Sequence, residues 1–111
     1  MKLVNLTPHV INLRKEDGSM VDIAPSGQVA RVDAVIVEVA RVDDVIIRVA
    51  TYGDVQGLPD PQEGVGYLVS GMVLSRVSGR ADVFAPGNAL RDDAGRVIGC
   101  DGLSATEAWL E

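Results

Sequence analysis

The sequence predicts an α+β protein made mainly of antiparallel β sheet or a partial barrel, with one short helix. Three observations predict this. Hydrophobic residues make up 47% of the chain but aromatic residues only 4%, so Val, Ile and Leu must fill the core, and the β-branched pair favour strands. Short runs of alternating apolar and polar residues are separated by Gly, Pro and Asp turn signals. Only one segment, Ser70 to Gly79, has the cap signals of a helix. The 111 residues match the commonest domain size, so residues 1–111 read as a single domain.

Taken in order, Lys2 to Leu6 reads as a first strand, broken by Thr7-Pro8-His9 because Pro8 has no amide hydrogen for a ladder. Val10 to Arg14 resumes the alternation, and Asp17-Gly18 signals a hairpin that returns through Met20 to Ala24. Pro25-Ser26-Gly27 is another turn. Arg31-Val32-Asp33-Ala34-Val35-Ile36-Val37-Glu38-Val39-Ala40 is echoed at once by Arg41-Val42-Asp43-Asp44-Val45-Ile46-Ile47-Arg48-Val49-Ala50. Two copies are too few for a repeat array. They read as a hairpin of similar strands turning near Arg41 to Asp44. Glu38 and Arg48 fall at matching places in the copies and read as solvated strand charges.

Thr51 to Gly64 reads as a polar, Gly- and Pro-rich loop with at most one short strand. Val65 to Val69 is strand-like. Ser70 would N-cap a helix whose apolar face is Val73, Leu74 and Val77, closed by Gly79. Asp82-Val83-Phe84-Ala85 reads as a strand ended by Pro86-Gly87-Asn88. Asp92-Asp93-Ala94-Gly95 is a turn, Arg96 to Cys100 a strand, and Ala105 to Leu110 one helical turn.

Charge and cysteine content exclude several classes of function. The net charge of −6 repels a phosphate backbone, so wrapping of long nucleic acid is disfavoured. A small anionic ligand gripped by a few local arginines remains open. Cys100 is the only cysteine, which excludes an intrachain disulfide and a multi-thiolate zinc site. The opening lacks the apolar stretch of a signal peptide, and no run has the roughly 18 apolar residues of a membrane span. The expectation is a cytoplasmic protein with no cofactor, no metal and no membrane partner.

Candidate chemistry is sparse. His9, the only histidine, and Cys100 suggest a nucleophile pair, but a cysteine in an apolar strand usually behaves as a small buried hydrophobe. His9 reads better as a backbone partner around the Pro8 break. The carboxylates Asp54, Asp60, Glu63, Asp92 and Asp93 match no calcium-loop spacing, and Asp92-Asp93-Ala94-Gly95 is turn chemistry. The segment Arg80 to Arg91 is more suggestive. Arg80 and Arg91 offer forks for phosphate, Asn88 can hydrogen-bond a sugar or base, and Phe84 or Tyr52 can stack on one. The expected ligand site is therefore Arg80, Phe84, Asn88, Arg91 and Tyr52. It would be built from loops at Tyr52 to Glu63 and Arg80 to Arg91, and not from the Val35 to Val49 hairpin. No residue is assigned a catalytic role.

The stretch Leu3-Val4-Asn5-Leu6-Thr7-Pro8-His9-Val10-Ile11 resembles the opening of a family of small proteins frequent in bacteriophage and prophage genomes. The likeness continues through Pro25-Ser26-Gly27, Gly57-Leu58-Pro59-Asp60-Pro61-Gln62-Glu63-Gly64, Tyr67-Leu68-Val69-Ser70, Arg80-Ala81-Asp82-Val83 and Gly95-Arg96-Val97-Ile98-Gly99. In size and in the pattern after Arg80 the chain is also similar to phage sponge proteins that sequester nucleotide immune signals. These resemblances imply a phage context in the host cytoplasm; together with the Arg80 to Arg91 segment and the absence of a catalytic set they lead to the expectation of a protein that captures a small phosphate-bearing ligand without turnover. The alternatives are a protein-interaction or homo-oligomerisation module using the Val-rich hairpin, and a small Cys/His hydrolase.

Overall fold

The computed structural model describes residues 1–111. It contains eight strands, one helical turn and a terminal 3-10 turn. The strands are β1 (Lys2–Asn5), β2 (Ile11–Arg14), β3 (Met20–Ile23), β4 (Arg31–Val42), β5 (Val45–Gln56), β6 (Val65–Leu68), β7 (Val83–Arg91) and β8 (Val97–Ala105). The helix α1 covers Gly71–Leu74, and the 3-10 turn covers Glu107–Leu110. The expected fold class holds: the chain is β-rich, with antiparallel hairpins and one short helix.

Six strands form one sheet in the order β1-β6-β7-β8-β2-β3. β1 and β2 thus stand three strands apart in the sheet although only residues 6–10 join them in the chain. The sheet must therefore roll up. A parallel bridge between Asn5 and Pro25, with Ser26 N donating to Asn5 O at 2.9 Å, links β1 to the end of β3 and nearly closes a barrel. The hairpin β2–β3 is antiparallel, as expected, and β7–β8 is an antiparallel hairpin too. The joins β1–β6, β6–β7 and β2–β8 are parallel, which short turn signals along the sequence do not reveal.

Asn5 holds the closure. It is 1% exposed, and its Nδ2 donates to His9 O at 2.8 Å and Ile23 O at 2.9 Å. Its Oδ1 accepts from Thr7 N at 2.9 Å and Thr7 Oγ1 at 2.7 Å. One amide side chain therefore ties β1, the Thr7-Pro8-His9 crossing and β3 together. The Asn5-Leu6-Thr7-Pro8-His9 stretch is thus a barrel closure. His9 joins the closure through its backbone and not through the imidazole expected to pair there: its carbonyl accepts from Asn5 Nδ2, and its N–H donates to Thr7 Oγ1 at 3.4 Å.

Two apolar clusters flank the sheet. Ile11, Leu68, Phe84 and Cys100 form one, supported by Leu3, Leu13, Ile23 and Leu103. Gly66 makes room there: a Cβ at this position would stand 3.0 Å from the Phe84 ring. The other contains Leu6, Ala30, Tyr67, Val69, Val73 and Val83. It is covered by α1 and by Val32 and Val55 at the root of the β4–β5 hairpin. Ser70 caps α1, accepting from Val73 N at 3.2 Å, as the sequence predicts. The helix is a single turn rather than the expected run to Ser78.

Two expectations are corrected. Residues 51–56 are not loop but the second half of β5, because they pair with β4 from Arg31 to Val35. Pro86-Gly87-Asn88 does not end a strand but lies within β7. β6 accompanies β7 only at Val83 and Phe84, so beyond them one edge of β7 is unpaired and a proline is tolerated. Gly87 is needed there, since a Cβ would fall 2.5 Å from Asp101 O across the hairpin.

The β4–β5 hairpin forms a separate two-stranded sheet and projects as an arm. Its turn is Asp43-Asp44, with φ of 50° and 63°, the left-handed pair of a tight two-residue hairpin loop. From Ala34 to Thr51 every residue is exposed except half-buried Ile46. The radius of gyration is 16.8 Å, against about 13 Å for a compact chain of this length.

The register sorts the arm into two faces, since paired residues point the same way and sides alternate along each strand. One face carries Val35–Thr51, Val37–Val49, Ala40–Ile47 and Val42–Val45, with Val39 the extra residue of a bulge opposite Ile47. The other carries Ala34–Tyr52, Ile36–Ala50, Glu38–Arg48 and Arg41–Ile46. Glu38 and Arg48 meet at 3.8 Å and are both more than half exposed, which fits the expected solvated pair.

Candidate functional site

The five residues singled out from the sequence do not converge. Arg80 precedes β7 and is locked by Asp82: Nε to Oδ1 is 2.8 Å and Nη2 to Oδ2 is 2.9 Å. Its Nη2 also donates to Pro59 O at 2.9 Å, pinning the loop that follows β5. This bidentate pair holds the Asp82 carboxyl below the usual range and raises the Arg80 guanidinium. The fork expected to grip phosphate is thus largely committed within the chain.

Phe84 is 9% exposed, and its ring lies 6.2 Å from that of Trp109. Trp109 is tied down by its Nε1 donating to Ala81 O at 2.9 Å. Phe84 is core, with no free face for a base. Asn88 pairs with Asp101 in mid-hairpin. Arg91 lies at the far end of β7, where its Nη1 donates to Gly95 O at 2.9 Å and closes the turn. The two segments are loops only in part: Tyr52 to Gln56 and Val83 to Arg91 are strand, while Gly57 to Glu63 and Arg80 to Asp82 lie outside any strand or helix.

Tyr52 and Arg80 do share a cleft of about 460 Å³ at the root of the arm, with Asp54, Leu58, Arg76 and Ser78. Arg76 supplies what the sequence reading missed. Its guanidinium carbon stands 4.8 Å from the centre of the Tyr52 ring, a cation–π stack, and it makes no ion pair. Nothing local in the sequence marks it, because Arg76 follows α1 and reaches Tyr52 only through the tertiary fold. The cleft combines an aromatic face with one uncommitted guanidinium. The Asp54 carboxylate opposes an anion there.

A larger cleft of about 700 Å³ lies beside the barrel closure. The Thr7-Pro8-His9 crossing, Ser70, Pro86 and the Val97 to Cys100 stretch surround it. Its walls are mainly apolar. His9 and Cys100 both border it, but the Cys100 residue is only 5% exposed and packs with Ile11, Leu68 and Phe84. That is the hydrophobic cysteine the sequence suggested. The Asp92 carboxylate is turn chemistry as expected: its Oδ1 accepts from Ala94 N and Arg96 N at 2.9 Å. No group of three or more His, Cys, Asp or Glu side chains is gathered to hold a metal. No helix is long and apolar enough to cross a membrane.

No family model, curated protein or solved structure matches the chain.

Proposed function

We propose that the protein is a non-catalytic interaction module: a small barrel that mounts a β arm and presents the arm's apolar face to a protein partner. One observation carries this reading. Residues on that face such as Val35, Val39, Val42 and Val45 are 55–60% exposed, on an element that touches the barrel only at its root. Contiguous apolar surface on this scale marks an interaction site in a well-behaved protein. A photo-crosslinking residue placed at Val37 in cells producing the protein tests it. Adducts with protein are expected from position 37 and not from position 41 on the charged face. An arm that forms no protein adduct at position 37 ends the reading.

A second reading rests on the cleft at the arm's root and on the phage resemblance. It is a phage-encoded binder that sequesters a small phosphate-bearing, nucleotide-like ligand, with the free edge of the Arg76 guanidinium, stacked on Tyr52, gripping phosphate. Arg76 with its free guanidinium supports it. Titration calorimetry against signalling nucleotides tests it. Arg76→Ala should weaken a bound nucleotide about ten- to hundredfold, the scale of a charged hydrogen bond. Absence of binding tighter than about 100 μM removes this reading.

A further inference from the structure

We infer that the partner of the arm is a second copy of this chain, docked two-fold so that the Val37–Val49 face of one arm packs on the same face of the other. The inference rests on the interaction-module reading and adds the identity of the occupant.

The chemistry of the two faces selects it. Glu38, Arg41 and Arg48 are the only charged residues on the arm between Ala34 and Thr51 apart from the turn aspartates, and all three lie on the opposite face. The Val37–Val49 face carries no charge and one hydroxyl, Thr51. It offers a foreign partner no polar group for direction or register. An isologous contact needs none, because the same row of β-branched side chains meets itself.

The area agrees. The aliphatic side chains of this face are 40–60% exposed, which amounts to on the order of 600 Å² per copy, the upper end of what monomers leave bare. Two such faces together approach the ~1,200 Å² at which stable interfaces begin. Twisted ribbons stacked face to face sit about 10 Å apart, with side chains interdigitated. The single chain has a small core: only 13 of its 111 residues are buried.

Light scattering coupled to size exclusion, run on the whole protein from about 1 to 100 μM, tests the inference. The expected mass is twice 11.7 kDa. Val37→Arg should weaken association about a hundredfold or more, because two guanidinium groups would meet in an apolar contact. Arg41→Glu, on the opposite face, should leave it unchanged. Circular dichroism checks that both variants keep the wild-type fold, and Val49→Lys repeats the test at the paired position should Val37→Arg misfold. A wild-type mass of 11.7 kDa at the highest concentration overturns the second copy, as does equal loss from both faces. If position-37 adducts in cells then join the arm to a different protein, the module reading survives while the second copy falls. If no adduct forms at all, both fall.

Discussion

Replacing Asn5 by alanine should cost the fold about 3–5 kcal/mol, far more than its modest size suggests. The side chain makes four hydrogen bonds of 2.7–2.9 Å, each contributing about 1 kcal/mol net. Removal also strands Ile23 O and His9 O, and an orphaned buried acceptor costs about 1–3 kcal/mol. Water can reach the exposed His9 end, which keeps the sum in the lower part of that range. Thr7→Ala loses one of the same bonds, but at a half-exposed residue, and should cost only about 1 kcal/mol. Urea unfolding measures both, with an unchanged denaturant slope showing that the same surface unfolds. Asn5→Asp sharpens the test. An ionised carboxyl has no donor for His9 O or Ile23 O, so the folded state raises its pKa. The variant should be weakest at neutral pH and recover part of its deficit as pH falls through the raised folded-state pKa and the carboxyl regains a proton to donate, the recovery being complete near the ordinary carboxylate value of about 4. An Asn5→Ala loss under about 1 kcal/mol, or one equal to that of Thr7→Ala, would refute the view that this amide closes the barrel.

Three further outcomes follow from single contacts. The Asp82 carboxyl is held below its ordinary value of 3.8 by Arg80, so its contribution to stability is complete above that pH and is lost as pH falls toward the folded-state value. Acid titration of unfolding stability should show this step in the wild type and not in Asp82→Asn. Gly87→Ala would place a Cβ 2.5 Å from Asp101 O, whereas Gly71→Ala enters open space. The first should lower stability by about 1–3 kcal/mol by thermal or urea unfolding, and the second should not lower it through overpacking. Cys100→Ser puts a hydroxyl into the Ile11–Leu68–Phe84 cluster and should cost about 1–3 kcal/mol if the hydroxyl finds no partner. In the native wild type, Cys100 should react with thiol reagents far more slowly than in urea.

Local chemistry was legible in the sequence; closure was not. Asp17-Gly18, Asp43-Asp44 and Asp92 to Gly95 mark real turns because turn conformations are set by the residues within them. The same logic failed at Pro86-Gly87-Asn88, since what decides there is whether β7 has a neighbour on that edge. The parallel joins and the Asn5–Pro25 bridge depend on contacts between distant segments, and nothing in the local pattern encodes them. The candidate residues fail to gather in one place for a related reason. Arg80 and Phe84 look available in the sequence, yet Asp82 claims one and the core claims the other. Arg76 was missed because its partner, Tyr52, is on another element.

The arm shows where a single sequence does carry tertiary information. Its two halves repeat valine at alternate positions, a pattern that by itself is consistent with a strand buried on either face. The charges break the tie. With the two-residue turn fixing the register, Glu38 lands opposite Arg48 and Arg41 opposite Ile46, all on one side. A shift of one residue would move these charges onto the valine face, so the tight Asp43-Asp44 turn separates a wet face from a dry one. The bulge at Val39 keeps that separation intact, placing two residues opposite Ile47 and restoring phase for Val42–Val45 at the tip. A free surface arm in water would gain nothing from so consistent a division. One face is kept free of charge along the whole length of an element that the barrel does not cover, and it is this division of the arm that the proposed contact uses.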